Sequence, residues 1–120
     1  MLVLLPFLFA LNATPLEVRV GETLAIPGTK VSVTFVGVVD DSRCPKGVTC
    51  VWEGDATIEV RVTPERGDPE TVQLHVNART TKDVVVQGLH LTLERLEPYP
   101  EDGRPINRGD YRATLAITHE

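Results

Sequence analysis

The stretch "VVDDSRCPKGVTCVWEGDATIEV", Val38 to Val60, holds both cysteines and the only tryptophan of the chain, and it lies between two apolar runs. Upstream, "VSVTFVGVV" (31–39) puts Val31, Val33 and Phe35 on one side, with Ser32 and Thr34 on the other. Downstream, "ATIEVRV" (56–62) alternates Ala56, Ile58, Val60 and Val62 with Thr57, Glu59 and Arg61. Strict alternation of this kind means a strand with one buried face and one wet face. The block between the runs is therefore a loop between strands, and its chemistry has to be read in that setting.

Its cysteines, Cys44 and Cys50, have C-x5-C spacing. That is wrong for a redox C-x-x-C motif, and no second Cys or His cluster completes a zinc site. A nucleophilic cysteine would need a base close by, and none is visible. In an exported chain the pair is expected to be oxidised, which closes a small loop and stabilises the fold by roughly 2 kcal/mol through chain entropy. Pro45 pre-sets a turn and Gly47 permits a positive φ, so "CPKGVTC" (44–50) is expected to form a disulfide-closed turn.

The period of two extends along most of the chain. "LEVRV" (16–20) directs Leu16, Val18 and Val20 inward; "TVQLHVN" (71–77) does so with Val72, Leu74 and Val76. "LHLTLE" (89–94) turns in Leu89, Leu91 and Leu93, and "YRATLAI" (111–117) turns in Tyr111, Ala113, Leu115 and Ile117. Two shorter runs, "TLAI" (23–26) and "DVVVQ" (83–87), are expected to add edge strands. In "LTLERLE" (91–97) Leu93 and Leu96 cannot both face inward on a regular strand, so a bulge is expected near Glu94–Arg95.

Turn residues punctuate these runs at Gly21, Pro27–Gly28, 64–70, Gly88 and 98–105. The reading is an all-β domain: an antiparallel β-sandwich, immunoglobulin-like or of a related Greek-key type, with about eight strands and one disulfide. The long connection "EPYPEDGRPINRGD" (97–110) is expected to cross between the sheets.

Composition narrows the function. A chain of 120 residues is one domain in size, and 42% hydrophobic with 24% charged residues is globular. A formal charge of −5 argues against nucleic acid and against an anionic membrane surface. The first thirteen residues, "MLVLLPFLFALNA", carry no charge and are too short to span a bilayer, which takes about 20 residues. We read residues 1–13 as a secretory signal peptide cleaved after Ala10 or Ala13, and 14–120 as the single mature domain, periplasmic or extracellular. The mature chain is expected to have no transmembrane span and to be a monomer. It keeps Phe35, Trp52, Tyr99 and Tyr111 as its aromatics, a thin supply for stacking on sugars or bases.

The block "DSRCPKGVTCVWEGDA" (41–56) resembles the signature of an uncharacterised family of small bacterial exported proteins and lipoproteins, with the pattern D-S-R-C-P-x-G-x-x-C-x-W-x-G-x-A. Asp41, Ser42, Arg43, Cys44, Pro45, Gly47, Cys50, Trp52, Gly54 and Ala56 match it. The likeness extends to "LEPYPEDGRPINRGDYRATLAI" (96–117). It implies fold and export, and no activity. The chain lacks the lipidated N-terminal cysteine of the lipoprotein members.

Two readings of the block stand side by side. In one, it is a braced turn: Trp52 packs over the disulfide, and Arg43 makes a forked pair with Asp40, Asp41 or Glu53. In the other, Asp41, Arg43, Lys46, Trp52 and Glu53 form a recognition surface on a rigid loop, for an unknown protein or envelope component. A calcium site using Asp40, Asp41, Glu53 and Asp55 is a further candidate, although no D-x-D-x-D-G loop is present. His75 and His90 fall on the polar phase of their runs, where a transition metal could bridge them if the strands pair; His119 is terminal. No catalytic constellation is recognisable around Ser42. The expectation is a non-enzymatic binding or structural module without a cofactor, with a hydrolase or protease inhibitor as the alternative.

Overall fold

The structure, a computed structural model, describes residues 14–77 and 84–119. The segment read as a signal peptide lies outside the described residues. Strands β1 (Thr14–Arg19), β2 (Thr23–Ala25), β3 (Ser32–Asp41), β4 (Ala56–Thr63), β5 (Glu70–His75), β6 (Val84–Val86), β7 (Leu89–Glu97) and β8 (Arg112–His119) form two four-stranded antiparallel sheets. Their orders are β1-β8-β7-β6 and β2-β3-β4-β5. The eight strands, the two sheets and the single disulfide are those expected from the alternation and the cysteines.

The inward residues meet in one core. Val33 lies opposite Val62 and Phe35 opposite Val60 in the second sheet. Leu91 faces Ile117, and Leu93 faces Leu115, in the first. All eight are buried, and each such side chain contributes about 1.5–3 kcal/mol relative to remaining in water. The short runs at 23–26 and 83–87 do supply edge strands, β2 and β6.

The connectivity departs from expectation. Residues 97–110 join β7 to β8, which are hydrogen-bonded neighbours, so this long segment stays within one sheet. The chain changes sheet between β1 and β2 and again between β5 and β6. Within each sheet, neighbours in sequence are neighbours in space, except that β1 lies beside β8. Each sheet is thus built largely from consecutive strands joined by local connections. Alternation defines strands and their faces but carries no information about which strands pair.

Three bulges set the phase of the strands. In β7 the register shifts between Leu93 and Arg95, which lets Leu93 and Leu96 both enter the core, as expected. β3 has two more, between Phe35 and Gly37 and between Val38 and Asp40. The extra residues, Val36 and Val39, project outward. The partners of Val33, Phe35, Val38 and Asp41 are Val62, Val60, Ile58 and Ala56. Directly opposed residues share a face, so the two bulges carry Asp41 to the inner face at the end of β3.

This assignment of faces is testable by urea denaturation. Leu115→Ala should lower stability by about 2–5 kcal/mol. Val39→Ser, at a bulge position on the outside, should change it by no more than about 0.5 kcal/mol.

Candidate functional site

Beyond β3 and β4 the ladder continues into the cysteine-bearing loop. Ser42 N–H donates to the Asp55 carbonyl at 2.7 Å, and Cys44 N–H to that of Glu53 at 3.1 Å. The two arms approach so closely at Gly54 that a Cβ there would run into the Ser42 carbonyl oxygen, and its φ of +75° also favours glycine. Cys44 and Cys50 are joined as expected, with Cα atoms 6.0 Å apart. Within the closed turn Val48 N–H donates to the Pro45 carbonyl at 3.2 Å.

Arg43 fastens this loop to the other sheet. Its Nε and Nη2 donate to the two oxygens of Asp41, each at 2.8 Å, a forked pair. Nη1 donates to the Leu96 carbonyl at 2.6 Å, and Nη2 also to that of Pro98 at 3.1 Å. The guanidinium lies 5.0 Å from the centre of the Tyr99 ring, within cation–π range. Arg43 is only 7% exposed. Tyr111 donates from its hydroxyl to Asp41 Oδ2 at 2.8 Å. Close by, Lys46 N–H donates to the Pro100 carbonyl at 2.9 Å. The β3–β4 and β7–β8 loops, separately conspicuous in the sequence, thus meet at one end of the sandwich.

The cluster is electrostatically closed. Burial pushes the Asp41 carboxyl up, but hydrogen bonds from Arg43 and Tyr111 and the charge of Arg43 outweigh it and hold the group below its ordinary 3.8. The Tyr111 phenol is pushed up to about 12, by burial and then by its hydrogen bond to the negative Asp41. Asp41 and Arg43 are therefore internal fasteners. Of the residues suspected as a recognition surface, Lys46, Trp52 and Glu53 are exposed and these two are not.

The indole does not cover the disulfide as the braced-turn reading expected: Trp52 is 76% exposed, and its neighbour Val51 is 90% exposed. Trp52 lies outside the closed turn, past Cys50, where it has no core to enter. The proposed calcium ligands are dispersed among other tasks. Asp41 serves Arg43 and Tyr111, Asp40 and Glu53 are exposed, and Asp55 accepts from Asn77 N–H and bonds His75 Nδ1 at 3.0 Å. Among the described residues no three His, Cys, Asp or Glu side chains group to hold a metal. His75 and His90 lie on β5 and β7, in different sheets, so the strand pairing a metal bridge required does not occur.

Sequence reasoning missed the carbonyls of Leu96 and Pro98, and it placed Tyr111 in the core without asking what its hydroxyl bonds. That hydroxyl was the available signal, since a buried tyrosine O–H needs a partner. It also missed the contact of Asp55 and Thr57 with His75. No family model matches the chain, and no curated protein or solved structure is significantly similar to it.

Arg43→Ala strands a buried carboxylate and should cost about 3–5 kcal/mol in equilibrium unfolding. Tyr111→Phe removes one charge-assisted hydrogen bond and should cost about 1.5–3 kcal/mol. The pH profile should fall at both ends. Because Asp41 titrates lower folded than unfolded, its contribution is present above 3.8 and lost as pH falls through the folded value. Because Tyr111 titrates higher folded than unfolded, its contribution is full below 10 and lost as pH rises towards about 12. Stability curves of wild type and Tyr111→Phe should therefore converge above pH 10.

Proposed function

We propose that this is an exported, non-enzymatic binding module that uses the tip of its disulfide-closed loop as the contact surface. The observation that carries the reading is the placement of Trp52 and Val51, both largely in water on a loop whose base is immobilised by Arg43. Among the described aromatics Phe35 and Tyr111 are buried, whereas Trp52 and Tyr99 are exposed on the two loops that touch. Tryptophan and tyrosine are the side chains that most often dominate binding energy at protein interfaces. Val48, also exposed, extends the apolar tip. Beside Tyr99 a cleft of about 220 Å³ opens against Pro98, Pro105 and Ile106.

Export is supported by the disulfide, by the uncharged apolar sequence of residues 1–13, and by the likeness of the 41–56 block to small exported proteins. The partner this surface suits is a protein or envelope component with an apolar recess for an indole. Arg43 supports the site and does not touch the partner.

Trp52→Ala should retain the wild-type melting curve and lose at least about tenfold in affinity for a partner isolated on the wild-type protein. Equal affinity of wild type and Trp52→Ala, measured by calorimetry on that partner, would remove the tip from the interface.

A further inference from the structure

The loop is held by two devices that act on different parts of it. Its base is fixed without the cysteines: by the Ser42–Asp55 and Cys44–Glu53 backbone bonds, and by Arg43 on the Leu96 and Pro98 carbonyls. Lys46 is tied to Pro100 in the same way. Past Val48 the situation changes. Among the described residues, no hydrogen bond holds residues 49–52, and Val51 and Trp52 bury little of their surface. What restrains this stretch is the bond from Cys50 to Cys44. Cys50 is exposed, and Cys44 is partly so.

We infer that the Cys44–Cys50 disulfide is a redox-sensitive clamp on the contact surface: a dithiol reductant releases residues 49–52 and leaves the sandwich folded, at a modest loss of stability. The inference rests on the reading of the loop tip as the binding surface. A thiolate of the reductant attacks Cys50, the more exposed partner, and forms a mixed disulfide as Cys44 leaves as a thiolate. The second thiol of the reductant then displaces Cys50. The two electrons come from the dithiol, which ends as a disulfide, and its two protons end on the Cys44 and Cys50 thiols. Releasing Trp52 from a fixed orientation adds an ordering cost to binding, so the oxidised protein is the binding-competent form.

The test uses the fluorescence anisotropy decay of Trp52, the only tryptophan, in the full chain with and without dithiothreitol, alongside thermal melts followed by circular dichroism. Reduction should add a fast local component to the decay while a single cooperative melt persists, and Cys44→Ser/Cys50→Ser should behave as the reduced protein does. Removal of dithiothreitol and reoxidation should restore the slow decay in the wild type only. An unchanged decay in the fully reduced protein would overturn the proposal, and so would loss of the cooperative melt on reduction. Neither result involves capture of a partner, so both are separate from the Trp52→Ala affinity comparison, which tests the contact surface itself.

Discussion

Arg43 is a cation taken almost wholly out of water, and the end of the sandwich is organised around satisfying it. Isolating a guanidinium in this way costs several kcal/mol unless its charge and its N–H groups are matched. Here Asp41 supplies the charge in a planar fork, and the carbonyls of Leu96 and Pro98 take further N–H groups. These partners belong to opposite sheets, since Asp41 ends β3 and Leu96 lies in β7. The interaction therefore joins the two layers where the hydrophobic core runs out. Its worth lies less in net stability than in fixing a geometry, because any other placement of these loops would leave a buried charge unpaired.

The site depends on register. Two bulges in β3 turn Asp41 to the inner face opposite Ala56, and the bulge in β7 lets Leu96 enter the core opposite Ala113. Each inserts one residue and shifts the pleat, which is how a sheet re-aims a side chain near its rim. Tyr111, entering β8, completes the cluster by donating to Asp41. Gly54 completes it differently, by allowing the returning arm of the loop to lie against the Ser42 carbonyl.

A base fixed in this way leaves the tip available for the contact proposed for it. A loop that packed Trp52 against the domain would contribute to stability and offer little to a partner. This one leaves the indole in water, where it costs hydration without adding to the core. Contiguous apolar side chains exposed on a rigid support are what the proposed contact surface requires. On the proposed reading, the formal charge of −5 weighs against a polyanion as the partner. Rigidity lowers the entropy lost on association, which links the architecture of the base to the role proposed for the tip.

The sequence by itself determined which residues make strands and which of their faces are buried, because alternation is written locally in side-chain chemistry. It determined the bulge at Glu94, since Leu93 and Leu96 could not otherwise both be dry, and the disulfide-closed turn, since its proline, glycine and cysteines lie within seven consecutive residues. Only the tertiary structure decided the order of the strands, the sheet-internal path of residues 97–110, the choice of Asp41 over Asp40 or Glu53 for Arg43, and the exposure of Trp52. The physical reason is that those outcomes depend on groups distant in sequence. Two of the acceptors for Arg43 are backbone carbonyls more than fifty residues away, and every residue carries a carbonyl, so no residue type could mark them in advance.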